Sequence, residues 1–113
     1  MKLNLYVAVT DMERAVGFYR AVFQMEPVQQ SDRFSAFQHG DAQFGLMNKA
    51  AYSYPLTVGN NCVPDFGVAN IDAEHVRIKA LASTITEIIT VGPFRLFMFV
   101  DTEGNVLEFH SRS

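Results

Sequence analysis

The chain has 113 residues, 49% of them apolar and 19% charged, with 9 basic against 12 acidic side chains and a formal charge of −3. That is the size and composition of one soluble globular domain. Apolar runs such as Leu96–Val100 stop at five residues, far short of the roughly 18 that a membrane span needs, and no lysine or arginine stripe offers a nucleic-acid surface. Small molecules or proteins remain as partners.

In chain order, Met1-Lys2 leads straight into alternating Leu3, Leu5, Val7 and Val9, a half-buried strand with no separate apolar block ahead of it. A cytoplasmic protein without a signal peptide is expected. Thr10 and Glu13 form a Thr-x-x-Glu capping box, and Met12, Ala15, Val16, Tyr19, Val22 and Phe23 recur at helical spacing behind it. Three strands follow at Pro27–Gln30, Arg33–His39 and Ala42–Met47, the last two joined by the turn His39-Gly40-Asp41.

A polar, turn-rich connection spans Asn48–Asn61, with Pro55, Gly59, Asn60 and Asn61 as turn residues. The order of elements then repeats: strand Val63–Ala69, helix Asp72–Ala82 capped by Asn70 or Asp72, and strands Thr86–Val91, Phe94–Val100 and Val106–His110. Gly92-Pro93 and Asp101-Thr102-Glu103-Gly104-Asn105 make the turns. A slide of 59 residues sets Val9 on Val68, Asn4 on Val63 and Tyr6 on Asp65. The expectation is an α+β fold of two βαβββ modules in one domain, residues 1–48 and 62–113 with a linker at 49–61. Cys62, the lone cysteine, excludes an internal disulfide and is expected to be a small buried residue. His39 beside a turn and His75 on a helix are expected to be solvated.

The helix start Asp-x-x-x-Ala-x-x-Phe-Tyr (Asp11, Ala15, Phe18, Tyr19) and the ending Asp-x-x-Gly-Asn-x-x-Glu (Asp101, Gly104, Asn105, Glu108), set in a duplicated module, resemble the vicinal oxygen chelate superfamily. That superfamily includes glyoxalase I, extradiol dioxygenases, fosfomycin-resistance enzymes and bleomycin-resistance proteins. The resemblance implies a curled mixed sheet forming an open funnel with helices outside, commonly completed by a second subunit, so a homodimer is expected.

In the metal-using members, four ligands, usually His, Glu, His and Glu, come from the first and last strands of each module. Placed on that pattern, the positions here are Asn4, Gly45, Val63 and Glu108. Only Glu108 is a ligand-type carboxylate, so no cofactor is expected. The fallback for a divalent metal is Asp65, Glu108 and His110, because His110 shares the face of Glu108 and Asp65 can approach from another strand.

Without a metal, Glu108 becomes the best candidate for a catalytic or binding group. A carboxylate facing apolar walls gains a proton or finds a donor; Arg95, Asn4 and Tyr6 are the candidates, or the ligand brings a positive charge. Gly45 and Met47, on one face, suggest space for a ligand. Either Phe94, Leu96 and Met98 or Arg95, Phe97 and Phe99 line the site. No nucleophile elbow, phosphate loop or dinucleotide fingerprint is present.

The functional expectation is metal-independent binding or sequestration of a small organic molecule, in the manner of bleomycin-resistance proteins. The alternatives are a glyoxalase-type lyase, isomerase or dioxygenase with a degenerate metal site, and a non-catalytic interaction module.

Overall fold

The computed structural model describes residues 1–52 and 56–112; Pro55 of the expected linker lies outside them. By its internal packing the chain divides into two compact units, Met1–Val58 and Gly59–Ser113. Among the described residues no helix is long and apolar enough to cross a membrane. The class is α+β, each unit carrying one mixed sheet and one α-helix.

The first unit runs β1 (Leu5–Val9), α1 (Met12–Phe23), β2 (Phe34–His39), β3 (Ala42–Asn48) and a short 3-10 turn, Lys49–Ala51. Its sheet has the order β1-β3-β2, with β1 parallel and β2 antiparallel to β3. Strand alternation sends Val9, Phe37, Phe44 and Leu46 to the helix side, where they are buried with Val16, Tyr19 and Val22 of α1. Tyr19 organises this core, its ring 4.9 Å from Phe44 and 5.4 Å from Phe23 between centroids. Exposed Glu13 and Arg14 and the partly exposed Arg20 occupy the other side of the same helix.

Two expectations change here. The N-cap of α1 is Asp11, not Thr10: the helix begins at Met12, and the Asp11 carboxylate accepts from the Arg14 N–H at 3.1 Å. Pro27–Gln30 pairs through a single bridge, Gln29 with Ala36, rather than as a strand. Pro27 has no N–H to donate. Ser31 then turns the chain back, its hydroxyl accepting from the Arg33 and Phe34 N–H groups.

The second unit runs β4 (Asp65–Gly67), α2 (Ile71–Lys79), β5 (Ile89–Val91), β6 (Phe94–Val100) and β7 (Val106–Arg112). The sheet order is β4-β7-β6-β5, with β4 parallel to β7 and the other pairs antiparallel. Phe97, Phe99, Leu107 and Phe109 are buried on one face together with Ile71 and Ile78 of α2. Asn70, not Asp72, caps α2 by accepting from the Ala73 N–H at 3.0 Å. The helix is shorter than its periodicity suggested; Leu81 and Ala82 close a tight turn on the Ile78 carbonyl. β5 begins only at Ile89, although Thr86 already donates to Met98 O at 2.9 Å.

The motif ending in Glu108 has a structural basis. Asp101 is buried, and one of its carboxylate oxygens accepts from the N–H groups of Glu103, Gly104 and Asn105 at 2.8–2.9 Å while the other takes the Asn105 side-chain amide at 2.9 Å. Asn105 in turn accepts from Gly59 N at 3.1 Å. Gly104 sits at φ 105°, a backbone conformation that side-chain-bearing residues rarely adopt. This turn sets the register of β7 against β6, and therefore the face on which Glu108 emerges.

Cys62 is exposed rather than buried, in the loop ahead of β4. His39 and His75 are not simply solvated. His39 packs edge-on to Phe23 at 4.3 Å, and burial lowers its pKa below the ordinary imidazole value. His75 holds the Thr86 carbonyl at 2.8 Å through Nε2 and meets the Phe97 ring edge-on at 4.9 Å.

Candidate functional site

In the second unit, the register places Asp65 beside Glu108 and Gly67 beside His110 across β4 and β7. On the other side of β7, Met98 is the partner of Glu108 and Leu96 the partner of His110. Register partners point to the same side of a sheet. One face therefore presents Asp65, Glu108 and His110 next to Leu96 and Met98, with Phe94 at its end. The opposite face carries Phe97, Phe99 and Phe109 into the core. This decides which alternating set of β6 accompanies Glu108: Phe94, Leu96 and Met98.

Asp65 is the hub of the acidic cluster. His110 Nδ1 lies 2.9 Å from Asp65 Oδ1 and 2.8 Å from Oδ2. Glu108 is half-buried and shares a hydrogen bond with Asp65. Its carboxyl is pushed above the ordinary glutamate range, first by burial, then by the hydrogen bond and negative charge of Asp65, against a smaller opposing pull from His110. Two adjacent carboxyls on a largely apolar strand surface make a place where a cation is favoured. The Phe94 ring meets His110 edge-on at 5.6 Å and Arg112 sits 5.4 Å from the same ring, closing the far end of the face.

Arg95 does not serve Glu108. It lies on the opposite face of β6, where its guanidinium makes a two-pronged ion pair with Asp72 of α2, Nη1 to Oδ2 at 2.8 Å and Nη2 to Oδ1 at 3.0 Å. Odd and even residues of a strand diverge, and Arg95 differs in parity from Met98, the partner of Glu108.

In the first unit, Tyr6 and Gly45 are register partners. The space beside Gly45 is not open. A Cβ placed there would lie 2.6 Å from Tyr6 Cδ1 and 2.7 Å from Phe34 Cζ, because the Tyr6 and Phe34 rings pack edge-to-face over it with centroids 5.3 Å apart. The room for a ligand that Gly45 and Met47 suggested is filled by side chains. Asn4 lies just ahead of β1, and its side-chain oxygen accepts from Gln43 N at 3.1 Å.

The four positions that hold metal in the resembled superfamily therefore do not fit that group. Asn4 has its oxygen engaged, Gly45 has neither a donor nor room for one, and Val63 is apolar. Asp65, Glu108 and His110 are a different set, with one ligand-type atom from each lying within 4.8 Å of the others. Sequence reasoning named these residues but missed Phe34 over Gly45 and Asp72 as the partner of Arg95. The first depends on the cross-strand register of β2 and β3 and the second joins residues 23 apart, and neither leaves a local signal.

The family model for the Glyoxalase/Bleomycin resistance protein/Dioxygenase superfamily matches residues 3–109. No curated protein matches the chain. Among solved structures, a lactoylglutathione lyase from Agrobacterium tumefaciens is 18% identical, with 98% of this chain and 92% of that one covered at a TM-score of 0.81. The fosfomycin resistance protein FosX from Listeria monocytogenes is 18% identical over 98% of this chain and 92% of its own, at 0.79. TnmS3, an antibiotic binding protein from Streptomyces sp. CB03234, is 18% identical over 100% and 96%, also at 0.79. At such identities the structures speak for a shared fold. With nearly its whole length matched by the family model, the chain belongs to the Glyoxalase/Bleomycin resistance protein/Dioxygenase superfamily.

Proposed function

We propose that the protein binds a small organic molecule carrying a positive charge and an apolar body, and that it does so without the superfamily's four-ligand metal centre. The observation that carries this reading is the paired Asp65 and Glu108 carboxyls beside Leu96 and Met98 on one sheet face. An ammonium or guanidinium group donates charge-assisted hydrogen bonds to both neighbouring carboxylates. The half-buried Phe94, Leu96 and Met98 provide contact for the rest of the molecule. An antibiotic binding protein of the same fold supports the binding of a small organic molecule; the positive charge follows from the carboxyls alone. Lyase or dioxygenase chemistry of the family's kind calls for ligands that Asn4, Gly45 and Val63 do not supply. A homodimer, the arrangement common in the family, belongs to the same proposal and is read directly by light scattering.

The test is a thermal-shift screen of cationic aromatic compounds against protein kept in excess chelator. A ligand present at 100 times its Kd stabilises by about 2.7 kcal/mol. We expect at least one compound to raise Tm in a saturable way, and the shift to shrink in Glu108→Gln and Asp65→Asn. If no cationic compound raises Tm, or if both variants respond as the parent does, the reading fails.

A further inference from the structure

We infer that Asp65, Glu108 and His110 form a three-donor site for a divalent transition-metal ion, built wholly within the second unit. Of the three, only Glu108 stands at a position that the metal-using relatives employ. The argument begins with topology. Parallel pairing of β4 with β7 makes Asp65 and Glu108 direct neighbours, and alternation brings His110 to the same face two residues on. Gly67, the partner of His110, has no side chain. A Cβ there would sit 3.4 Å from His110 Cε1 and 3.5 Å from Nε2, ordinary contact distances, so the imidazole lies directly over the Gly67 position.

The distances suit an ion. Metal bonds to imidazole nitrogen and carboxylate oxygen run about 2.0–2.2 Å, which sets neighbouring donors at right angles about 3 Å apart. His110 Nδ1 already stands 2.8–2.9 Å from the Asp65 oxygens. Such an ion keeps any two donors within about 4.4 Å, and the three present ones lie within 4.8 Å of one another. A shift of a few tenths of an ångström among the three side chains closes the difference.

Donor chemistry then selects the metal. One imidazole and two carboxylates suit Zn²⁺, Co²⁺ or Mn²⁺, whereas Ca²⁺ and Mg²⁺ prefer all-oxygen shells. Two carboxylates also neutralise the ion's charge. The site is open to solvent on the side away from the sheet, since Asp65 is exposed, and this leaves coordination positions for water. An ion held here occupies the same carboxylates as the cationic ligand proposed above and excludes it.

Tag-free, full-length protein, stripped of metal and then freed of chelator, is titrated calorimetrically with Zn²⁺, Co²⁺ and Ca²⁺. We expect one Zn²⁺ or Co²⁺ per chain, visible absorption bands from the bound Co²⁺, and Ca²⁺ at least tenfold weaker. His110→Gln and Asp65→Asn each weaken Zn²⁺ at least tenfold with an unchanged far-UV circular dichroism spectrum. Cys62→Ser, which removes the exposed thiol, changes it less than twofold. Absence of stoichiometric binding, Zn²⁺ affinity that survives both His110→Gln and Asp65→Asn, or a loss on Cys62→Ser overturns the inference. The titration contains no organic compound and the ligand screen contains chelator, so either proposal can fail without the other.

Discussion

Replacing Gly45 by alanine tests the claim that two rings occupy the place where relatives carry a metal-binding carboxylate. The added Cβ would stand 2.6 Å from Tyr6 Cδ1 and 2.7 and 2.8 Å from Phe34 Cζ and Cε1. Carbon atoms in contact settle about 3.5–4.0 Å apart, so both rings must retreat by roughly 1 Å. Overpacking of this kind costs about 1–3 kcal/mol. Gly45 is not among the glycines with positive φ, so alanine also returns about 0.4–1 kcal/mol by restricting the unfolded chain. The net loss is about 1 kcal/mol, or about 4 °C in Tm for a domain of this size. Urea unfolding of the parent, Gly45→Ala, Tyr6→Ala and the double variant measures it. Tyr6 is half exposed and its removal lets Phe34 swing aside, so in the Tyr6→Ala background Gly45→Ala should cost less than about 0.5 kcal/mol. Unchanged or raised stability of the single variant, or the same cost in both backgrounds, would refute the reasoning.

Asp101→Ala removes a buried acceptor of four hydrogen bonds and should cost about 3 kcal/mol in urea unfolding, charged acceptors being worth more than neutral ones; a loss below about 1 kcal/mol would mean that the turn is held by its backbone alone. Burial lowers the His39 pKa in the folded protein, so the unfolded chain takes up the proton first. Its contribution is fully present above the unfolded value of about 6.5 and is lost as pH falls from there through the folded pKa. His39→Phe should therefore flatten stability between about pH 7 and 5, and an unchanged slope counts against the assignment. Arg95→Ala should leave the Glu108 carboxyl titration, followed by carbon NMR, where it is in the parent, because Arg95 is committed to Asp72; a displaced titration would show that the two groups interact.

The helices and most strands are legible in the chain because their signals are local. Apolar spacing marks α1, alternation marks β1 and β6, and the Asp101–Asn105 turn marks the hairpin before Glu108. Local signals are weakest where one residue decides an end, which is why Asp11 rather than Thr10 caps α1 and why Pro27 limits a strand to one bridge. Cys62, expected inside, is exposed because the loop before β4 carries it, not a core strand.

The candidate site divides the same way. Sequence alone determined that Glu108 is the one carboxylate standing at a superfamily ligand position, and strand parity alone put His110 on its face. Which strand lies beside β7 is a long-range choice, and only tertiary structure decided it. Parallel pairing with β4 made Asp65 the partner of Glu108; the antiparallel register of β6 on β7 left Arg95 on the far side of the sheet, where it meets Asp72; and in the other unit the β1-β3-β2 pairing brought Phe34 over Gly45. Those contacts depend on strand pairing and register, which are set by packing across whole sheets, of which no short stretch of sequence holds a record.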